Sequence, residues 1–300
     1  MLIELKLNEF TAIADTFGGE LISYKDESGL EYLWNGDEKY WVGRSPHLFP
    51  IIGALKDNTT IIGGQKFSIN KHGFARNSDF LVAEKGSNFI LFLLRSNDDT
   101  RKFYPYEFEL YIKHELIEYG FKTSYCIKNI DDKPISFCIG GHVGFKVPLN
   151  NDESFDEYSI LFDKRITNEA MIPPNDEAFS KEESIPYINN TNVLPLNYEI
   201  FDRGAIILDK IQSNSVVLKH NKRNHGVRFC FEGFPVLALW TFPKKRAPFI
   251  CLEPWHGLPA MTDDSKYFEE KPYMITIEPN KQCNLGYTVN IIKVNRIIWF

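Results

Sequence analysis

The chain lacks the charge balance and the long apolar runs that would mark a nucleic-acid-binding or membrane-spanning protein. Its 40 acidic residues outnumber its 34 Lys and Arg residues, which gives a formal net charge of -6. Nucleic-acid binding normally needs a concentrated basic face, so no nucleic-acid partner is expected. No window approaches the roughly 18 apolar residues of a transmembrane helix, so no membrane partner is expected either.

A secretion signal and a cysteine framework are also missing. Residues 1–9 do not contain a charged segment followed by a long apolar segment and a small-residue cleavage site. The five cysteines are odd in number and scattered, without the CxxC spacing of a zinc site. We therefore expect reduced thiols and a cytoplasmic protein.

Alternation of apolar and polar residues is the strongest pattern that the chain does contain. This alternation predicts half-buried strands, and it occurs in segments 106–113, 121–127, 227–232 and 283–291. The continuous apolar run 89–94 predicts a strand buried on both faces. No segment shows the spacing of a long amphipathic helix. An aromatic content of 14% and many short strands between turn residues therefore predict a mainly β fold, either a β-sandwich or a barrel.

The chain shows no internal boundary. No linker rich in Pro, Gly or Ser divides it, so residues 1–300 are predicted to form a single domain. The least regular region, 150–192, is interpreted as a strand with long loops, including a turn at Pro173-Pro174-Asn175-Asp176. The end of the chain, 296–300, is unusually apolar, and it either packs on the body of the protein or is foreign to the natural chain.

Residues 249–260 form the segment with the clearest chemical potential. The apolar run that ends at Glu253 predicts a buried strand, and a turn is predicted to follow over 254–257. Burial raises the pKa of a carboxyl group and so prepares it for proton transfer near neutral pH. Trp255 offers a flat apolar face of the kind on which sugar rings stack. The alternative is a strand that ends in a solvated Glu253, with Trp255 in the core.

Three further segments combine glycines with side chains that can bind or transfer protons. Glycine lets the backbone approach a ligand closely, because it has no Cβ. A single histidine is more often structural than catalytic, so the interest lies in the combination. The segments are 43–53 with Arg44, 70–76 with His72, and 140–145 with His142, the last following a predicted strand at 135–139.

These strings, in this order, resemble those of the aldose 1-epimerase (galactose mutarotase-like) superfamily, and in particular its LacX-like branch. The resemblance spans about residues 21–289 and implies a large two-layer β-supersandwich with a sugar in an open cleft on one face. The matching strings are Arg44 with Leu48-Phe49-Pro50 and Ile52-Gly53, His72-Gly73-Phe74-Ala75-Arg76, Gly141-His142 and Leu252-Glu253-Pro254-Trp255.

The resemblance implies an enzyme that interconverts the α and β anomers of an aldose. Glu253 matches the general base that takes the proton of the C1 hydroxyl, and His142 matches the general acid that protonates the ring oxygen. His72 matches the second histidine, which binds the sugar, and Arg44 matches the arginine that anchors sugar hydroxyls with its forked donors. A Glu–His pair can supply a useful rate by itself, so we expect neither a metal nor an organic cofactor.

Some positions depart from the pattern of the well-studied galactose mutarotases. Asp202 is offered for the acidic residue that holds a distal sugar hydroxyl, although branch members place it nearer Gly204. Trp255 and Ala260 stand where those enzymes have Gln and Asp, which leaves the identity of the sugar open. His256 lies beside the Glu253 segment and is expected to be within reach of the substrate.

Two other functions compete with the mutarotase interpretation. A non-catalytic sugar-binding or sugar-sensing protein of the same fold would keep the cleft but would not need Glu253 together with His142. A glycoside hydrolase would need two carboxylates that flank the scissile bond, and Glu278 is the partner that the sequence offers for Glu253. This second alternative leaves both histidines without a role.

Overall fold

The structure is a computed structural model that describes residues 1–171 and 185–293, with only the backbone described at 185 and 186. The turn predicted at 173–176 and the apolar end at 296–300 lie outside the described residues.

The described residues form 22 strands, which confirms the mainly β prediction. In chain order these are β1 Leu2–Leu7, β2 Phe10–Asp15, β3 Leu21–Lys25, β4 His47–Leu48, β5 Thr59–Ile62, β6 Gln65–Ser68, β7 Leu81–Lys85, β8 Phe89–Arg95, β9 Phe108–Ile117, β10 Gly120–Asn129, β11 Ile135–Phe137, β12 Ile139–Gly141, β13 Val143–Lys146, β14 Tyr158–Met171, β15 Ile185–Pro195, β16 Ile206–Asp209, β17 Ser215–His220, β18 Gly226–Cys230, β19 Val236–Trp240, β20 Phe249–His256, β21 Ile275–Ile277 and β22 Gln282–Ile292.

Among the residues that the structure describes, helical structure is limited to short turns. The α-helix α1 covers Asp98–Arg101, and 3-10 turns cover Lys56–Asn58, Ala75–Asn77, Phe155–Glu157, Glu199–Phe201 and Phe268–Glu270. Within the described part of the chain, no helix has the length and apolar character needed to cross a membrane.

One antiparallel sheet of 15 strands carries most of the fold. Its order is β4-β12-β20-β19-β16-β14-β17-β18-β22-β10-β9-β8-β7, with β13 also paired to β20 and β15 to β14. A sheet of this size curls on itself, and here the Nδ1 atom of His47 in β4 lies 2.8 Å from the Tyr125 hydroxyl of β10. The inner faces of the two halves close over one large apolar core, which makes a two-layer sandwich.

The predicted alternating strands are found, and one prediction about the apolar run 89–94 is wrong. Strands β9 and β10 form the expected hairpin around Tyr119-Gly120, and β18 and β22 match the other alternating segments. The run 89–94 does form β8, but burial alternates along it, and only the face with Ile90, Phe92 and Leu94 is buried. The reason is that β8 lies next to the exposed edge strand β7, and the outer face of β8 is only partly covered by the described residues.

The region interpreted as a strand with long loops is more regular than expected. Strands β14 and β15 pair as a long antiparallel arm whose register shifts at several points. Strand β14 also pairs with β17 and β16, and residues such as Ile160 of β14 and Leu194 of β15 lie in the core. The register shifts between β14 and β15 interrupt the alternation along both strands.

The segment around Glu253 is a strand for longer than predicted. Strand β20 continues through Trp255 and His256, so the turn begins only at Gly257. The reason is pairing on both sides, because Trp255 lies opposite Val236 of β19 and Gly140 of β12. Glu253 is therefore held in the middle of the sheet and not at a strand end.

Candidate active site

His142 and Glu253 lie directly opposite each other on neighbouring strands. Strands β12 and β13 share one antiparallel register with β20, and this register places position 142 opposite position 253. Opposed residues point to the same face of a sheet, with their Cβ atoms about 5 Å apart. On its other side, His142 donates its backbone N–H to the carbonyl of Pro46 at 3.0 Å. The backbone on both sides therefore fixes the acid–base pair.

Glu253 sits between two apolar clusters on the outer face of β20. Phe249 and Cys251 precede it on this face and belong to one cluster, whereas Trp255 follows it and belongs to the other. These neighbours leave Glu253 only 1% exposed. A carboxyl group in this environment is desolvated, and the structure therefore confirms the predicted burial.

The polar atoms of the pair converge without satisfying one another. His142 Nε2 and Glu253 Oε2 are 3.2 Å apart, but they are not aligned as a hydrogen bond, and Oε2 has no partner among the described residues. The Nδ1 atom of His142 and the Nε1 atom of Trp255 are also buried without a hydrogen-bond partner in that part of the chain. Buried polar atoms are normally paired, so unpaired atoms that converge on one place indicate a ligand site.

Burial dominates the electrostatics of the pair. It raises the pKa of Glu253 well above its ordinary value, while Lys71, the Trp255 indole and Arg76 act in the opposite direction. Burial also lowers the pKa of His142 well below its ordinary value, and Arg76 adds to the effect. Because both shifts disfavour charge, the pair holds one proton over a wide pH range.

His72 is brought to this pair by a loop that docks on the segment after β4. His72 itself has a φ of 67° and Gly73 a φ of 76°, and a Cβ on Gly73 would lie 2.0 Å from the carbonyl oxygen of Phe49. Only glycine allows this approach. The N–H of Gly53 donates to His72 Nδ1 at 3.1 Å, which leaves the proton of the neutral ring on Nε2. The rings of His72 and His142 are 5.8 Å apart, centroid to centroid.

Arg44 lies on the segment that runs beside β13. Its carbonyl accepts the N–H of Gly144 at 2.8 Å, which places Arg44 beside the strand that follows His142. The Nε–H of Arg44 donates to the carbonyl of Asn35 at 2.9 Å. The guanidinium is half-buried and keeps further donors for a ligand.

Three predicted residues have surroundings that differ from the expected ones. Trp255 is 3% exposed within an apolar cluster, so its ring has no free face for a sugar, and only its N–H reaches towards Glu253. His256 points to the opposite face of β20 and approaches the Tyr273 carbonyl through Nδ1 at 2.8 Å. Asp202 is exposed after a 3-10 turn, and no hydrogen bond or ion pair among the described residues links it to the site.

Other residues at the site were not singled out by the sequence. The half-buried Trp41 and Trp240 both lie against His142, with ring centroids 4.9 Å and 5.4 Å from it, and their own rings are 5.3 Å apart. Burial lowers the pKa of Arg76, while the charges of Glu20 and Glu253 act to raise it. Arg76 belongs to the string His72-Gly73-Phe74-Ala75-Arg76, so the sequence could have indicated it as a site residue. No local sequence pattern marks Trp41 or Trp240 as site residues.

The same face also brings together three possible metal ligands. A ring nitrogen of His142, the Sγ atom of Cys251 and a carboxylate oxygen of Glu253 all lie within 4.8 Å of one another. All five cysteines are free thiols, as expected.

Comparisons with known proteins agree on one family. The aldose 1-epimerase family model matches residues 1–266. The plasmid-encoded protein LacX of Lactococcus lactis subsp. lactis is 35% identical over 301 residues, covering 97% of this chain and 100% of that protein.

Solved structures support the same relationship. A galactose mutarotase related enzyme from Lactobacillus acidophilus superposes with a TM-score of 0.93 at 26% identity, with 100% of both chains covered. A galactose mutarotase-like protein from Lactobacillus casei gives 0.86 at 28% identity, covering 97% of this chain and 100% of the other. The β-supersandwich implied by the sequence resemblance is confirmed, and the comparisons support an isomerase of the sugar epimerase or mutarotase kind. The chain belongs to the aldose 1-epimerase family.

Proposed function

We propose that this protein interconverts the α and β anomers of an aldose, a hexose or a related sugar, by general acid–base catalysis. The observation that carries the proposal is the buried cross-strand pair of His142 and Glu253, in which Glu253 Oε2 and His142 Nδ1 have no hydrogen-bond partner among the described residues. A buried pair of titratable groups costs stability, and such a cost is typical of a catalytic site. Family membership supports the same reaction class.

The reaction requires two coordinated proton transfers. Glu253 takes the proton from the C1 hydroxyl while His142 gives a proton to the ring oxygen, and the C1–O5 bond breaks to leave an aldehyde. Rotation about C1–C2 exposes the other face of the aldehyde. The reverse transfers then close the ring and restore both groups, so the reaction consumes no proton.

The two proton carriers are in contact, which suits a pair that holds one proton. Burial favours the form in which neither group is charged, with the proton on Glu253. Moving that proton across the 3.2 Å between Oε2 and Nε2 gives the ionised base and the protonated acid. Bound sugar hydroxyls would stabilise this charged form, because they supply hydrogen bonds to atoms that lack them.

The remaining residues are proposed to hold the sugar. His72 would donate from Nε2 to the ring oxygen or a neighbouring hydroxyl, and Arg44 would bind hydroxyls with its free N–H groups. Trp41 and Trp240 both lie beside His142 and are partly open to solvent, and we propose Trp41, whose ring is the nearer of the two, as the apolar wall in place of Trp255. Asp202 and His256 are weaker proposals, because their side chains lie away from the pair.

NMR exchange spectroscopy on α-glucose and α-galactose tests the proposal directly. Wild type should accelerate anomer exchange, and His142→Asn should lose most of the rate while still binding sugar. Glu278→Gln is a matched control, because Glu278 is an exposed carboxylate in another part of the fold, and this variant should keep the wild-type rate. Wild-type exchange no faster than the buffer rate with every sugar offered would refute the proposal.

The same experiment separates the competing functions. Sugar binding without accelerated exchange would identify a non-catalytic sugar-binding protein. The hydrolase alternative has little structural support, because Glu278 follows β21, which pairs with β11 in a separate two-stranded sheet.

A further inference from the structure

We propose that His142, Cys251 and Glu253 bind a thiophilic divalent cation such as Zn²⁺, and that the bound ion blocks the acid–base pair. The inference goes beyond the proposed function, because it concerns a ligand that the anomer exchange does not use. The three residues have no metal-site spacing along the chain, so their positions in the sequence do not predict this site.

The sheet geometry makes these side chains a three-point site. His142 lies opposite Glu253 in the register of β13 and β20, and Cys251 is the next residue along the same face. The three potential ligand atoms lie within 4.8 Å of one another, and the Nε2–Oε2 distance is 3.2 Å. Two ligands at about 2.1 Å from a tetrahedral ion are about 3.4 Å apart, so modest side-chain rotations complete the arrangement.

The ligand chemistry favours zinc over magnesium or calcium. Imidazole, thiolate and carboxylate are the three ligand types of protein zinc sites, whereas magnesium and calcium prefer oxygen alone. Three protein ligands also leave a fourth position for water or a sugar hydroxyl.

Independent support comes from the unpaired atoms and from the charge balance. Glu253 is 1% exposed, and its Oε2 atom has no hydrogen-bond partner among the described residues, so an ion would satisfy a buried acceptor. The nearby Lys71 and Arg76 oppose a cation. The carboxylate and the ionised thiolate together neutralise the two charges of the ion, and binding releases both the proton held by Glu253 and the thiol proton of Cys251 to solvent.

Metal titration of the purified full-length chain tests the site without any sugar. Zn²⁺ is titrated by calorimetry, and Cd²⁺ is followed by the ultraviolet thiolate-to-metal charge-transfer band. Wild type should bind one ion with a Cys251-dependent band. Loss of a direct ligand should weaken binding by at least about 100-fold, since even outer-shell partners cost 10–100-fold. Cys251→Ala should therefore lose the site.

Two further variants keep the test decisive. Cys138→Ala is the matched control, because Cys138 is also a buried thiol but belongs to a different cluster, and this variant should bind as wild type does. Glu253→Gln should lose binding through a different ligand, which covers a failure of Cys251→Ala to fold. Unchanged affinity in Cys251→Ala or in Glu253→Gln, or no Cys251-dependent band in wild type, would overturn the site.

The inhibition part of the test rests on the proposed function and is separable from it. Zn²⁺ should abolish anomer exchange in wild type, a chelator should restore it, and Cys251→Ala should stay active in the same Zn²⁺ concentration. Exchange that continues in wild type with the ion bound would refute the blocking mechanism. A protein that binds Zn²⁺ but never accelerates exchange would refute the proposed function and leave the metal site standing.

Discussion

Glu253→Gln is the perturbation with the most informative expected outcome, because it should reduce activity and increase stability together. Glutamine keeps the shape of the side chain but cannot take a proton, and it carries no charge at any pH. Glu253 is 1% exposed and directly opposite His142, so solvent does not screen the effect. The two consequences have different magnitudes and different pH dependences.

The loss of rate follows from the role of one acid–base group. Such a group contributes about 10²–10⁴-fold to the rate. At about 1.4 kcal/mol per factor of ten, this corresponds to roughly 3–5 kcal/mol of transition-state stabilisation. Exchange in the variant should therefore fall by this factor, while His72 and Arg44 remain in place to bind the sugar.

The gain in stability follows from the raised pKa of Glu253. In the unfolded chain the group titrates near 4.5, and burial raises the folded-state pKa well above that value. The contribution of the protonated form to stability is fully present below the unfolded-state pKa and is lost as the pH rises through the folded-state pKa. Each unit of difference costs about 1.4 kcal/mol at high pH. The variant should escape this loss.

Urea unfolding of both proteins over about pH 5 to pH 9 measures the difference in the free energy of unfolding. The stability advantage of Glu253→Gln should grow with pH. Glu109→Gln is a control in which the change in the free energy of unfolding should have the opposite sign. Burial acts to raise the pKa of Glu109, but hydrogen bonds from Arg95 and Tyr111 outweigh burial and lower that pKa. A variant at position 253 that is less stable than wild type at alkaline pH would refute the reasoning, as would a variant with the full exchange rate.

Three further predictions concern pH, backbone geometry and the sugar site. The exchange rate should follow a bell-shaped pH profile; its acid limb should lie below 6.5 because burial lowers the pKa of His142, and its alkaline limb should report the raised pKa of Glu253. A profile without either limb would contradict a proton-sharing pair. Gly73→Ala should unfold at a lower urea concentration than Gly64→Ala. Both glycines have a positive φ, which costs an alanine about 1–2 kcal/mol, but only at position 73 would the new Cβ meet backbone atoms. Equal stability of the two variants would contradict this. Trp41→Leu should raise KM more than it lowers kcat in exchange kinetics, because Trp41 is proposed to bind the sugar and not to move a proton. An unchanged KM would refute Trp41 as the apolar wall of the sugar site.

Much of the fold could be predicted because strand formation has a local cause. Side chains alternate between the two faces of a strand, so segments such as 106–113 and 121–127 reveal their buried face directly. The turn at Tyr119-Gly120 then pairs them as neighbours. The run 89–94 shows the limit of this reasoning, because its composition does not reveal that β8 lies near an edge of the sheet.

The sequence by itself determined the main secondary structure and, through the order of its motifs, the family, whereas it left the burial of Glu253 open between two alternatives. Only the tertiary structure decided which side chains meet. His142 and Glu253 are distant in sequence and become opposed through the register of β13 and β20, which is set by long-range packing. The same register adds Cys251 to the pair and buries Trp255, while a separate loop brings Trp41 over His142. Local periodicity specifies the face on which a side chain lies, but only the pairing of distant strands specifies its neighbours.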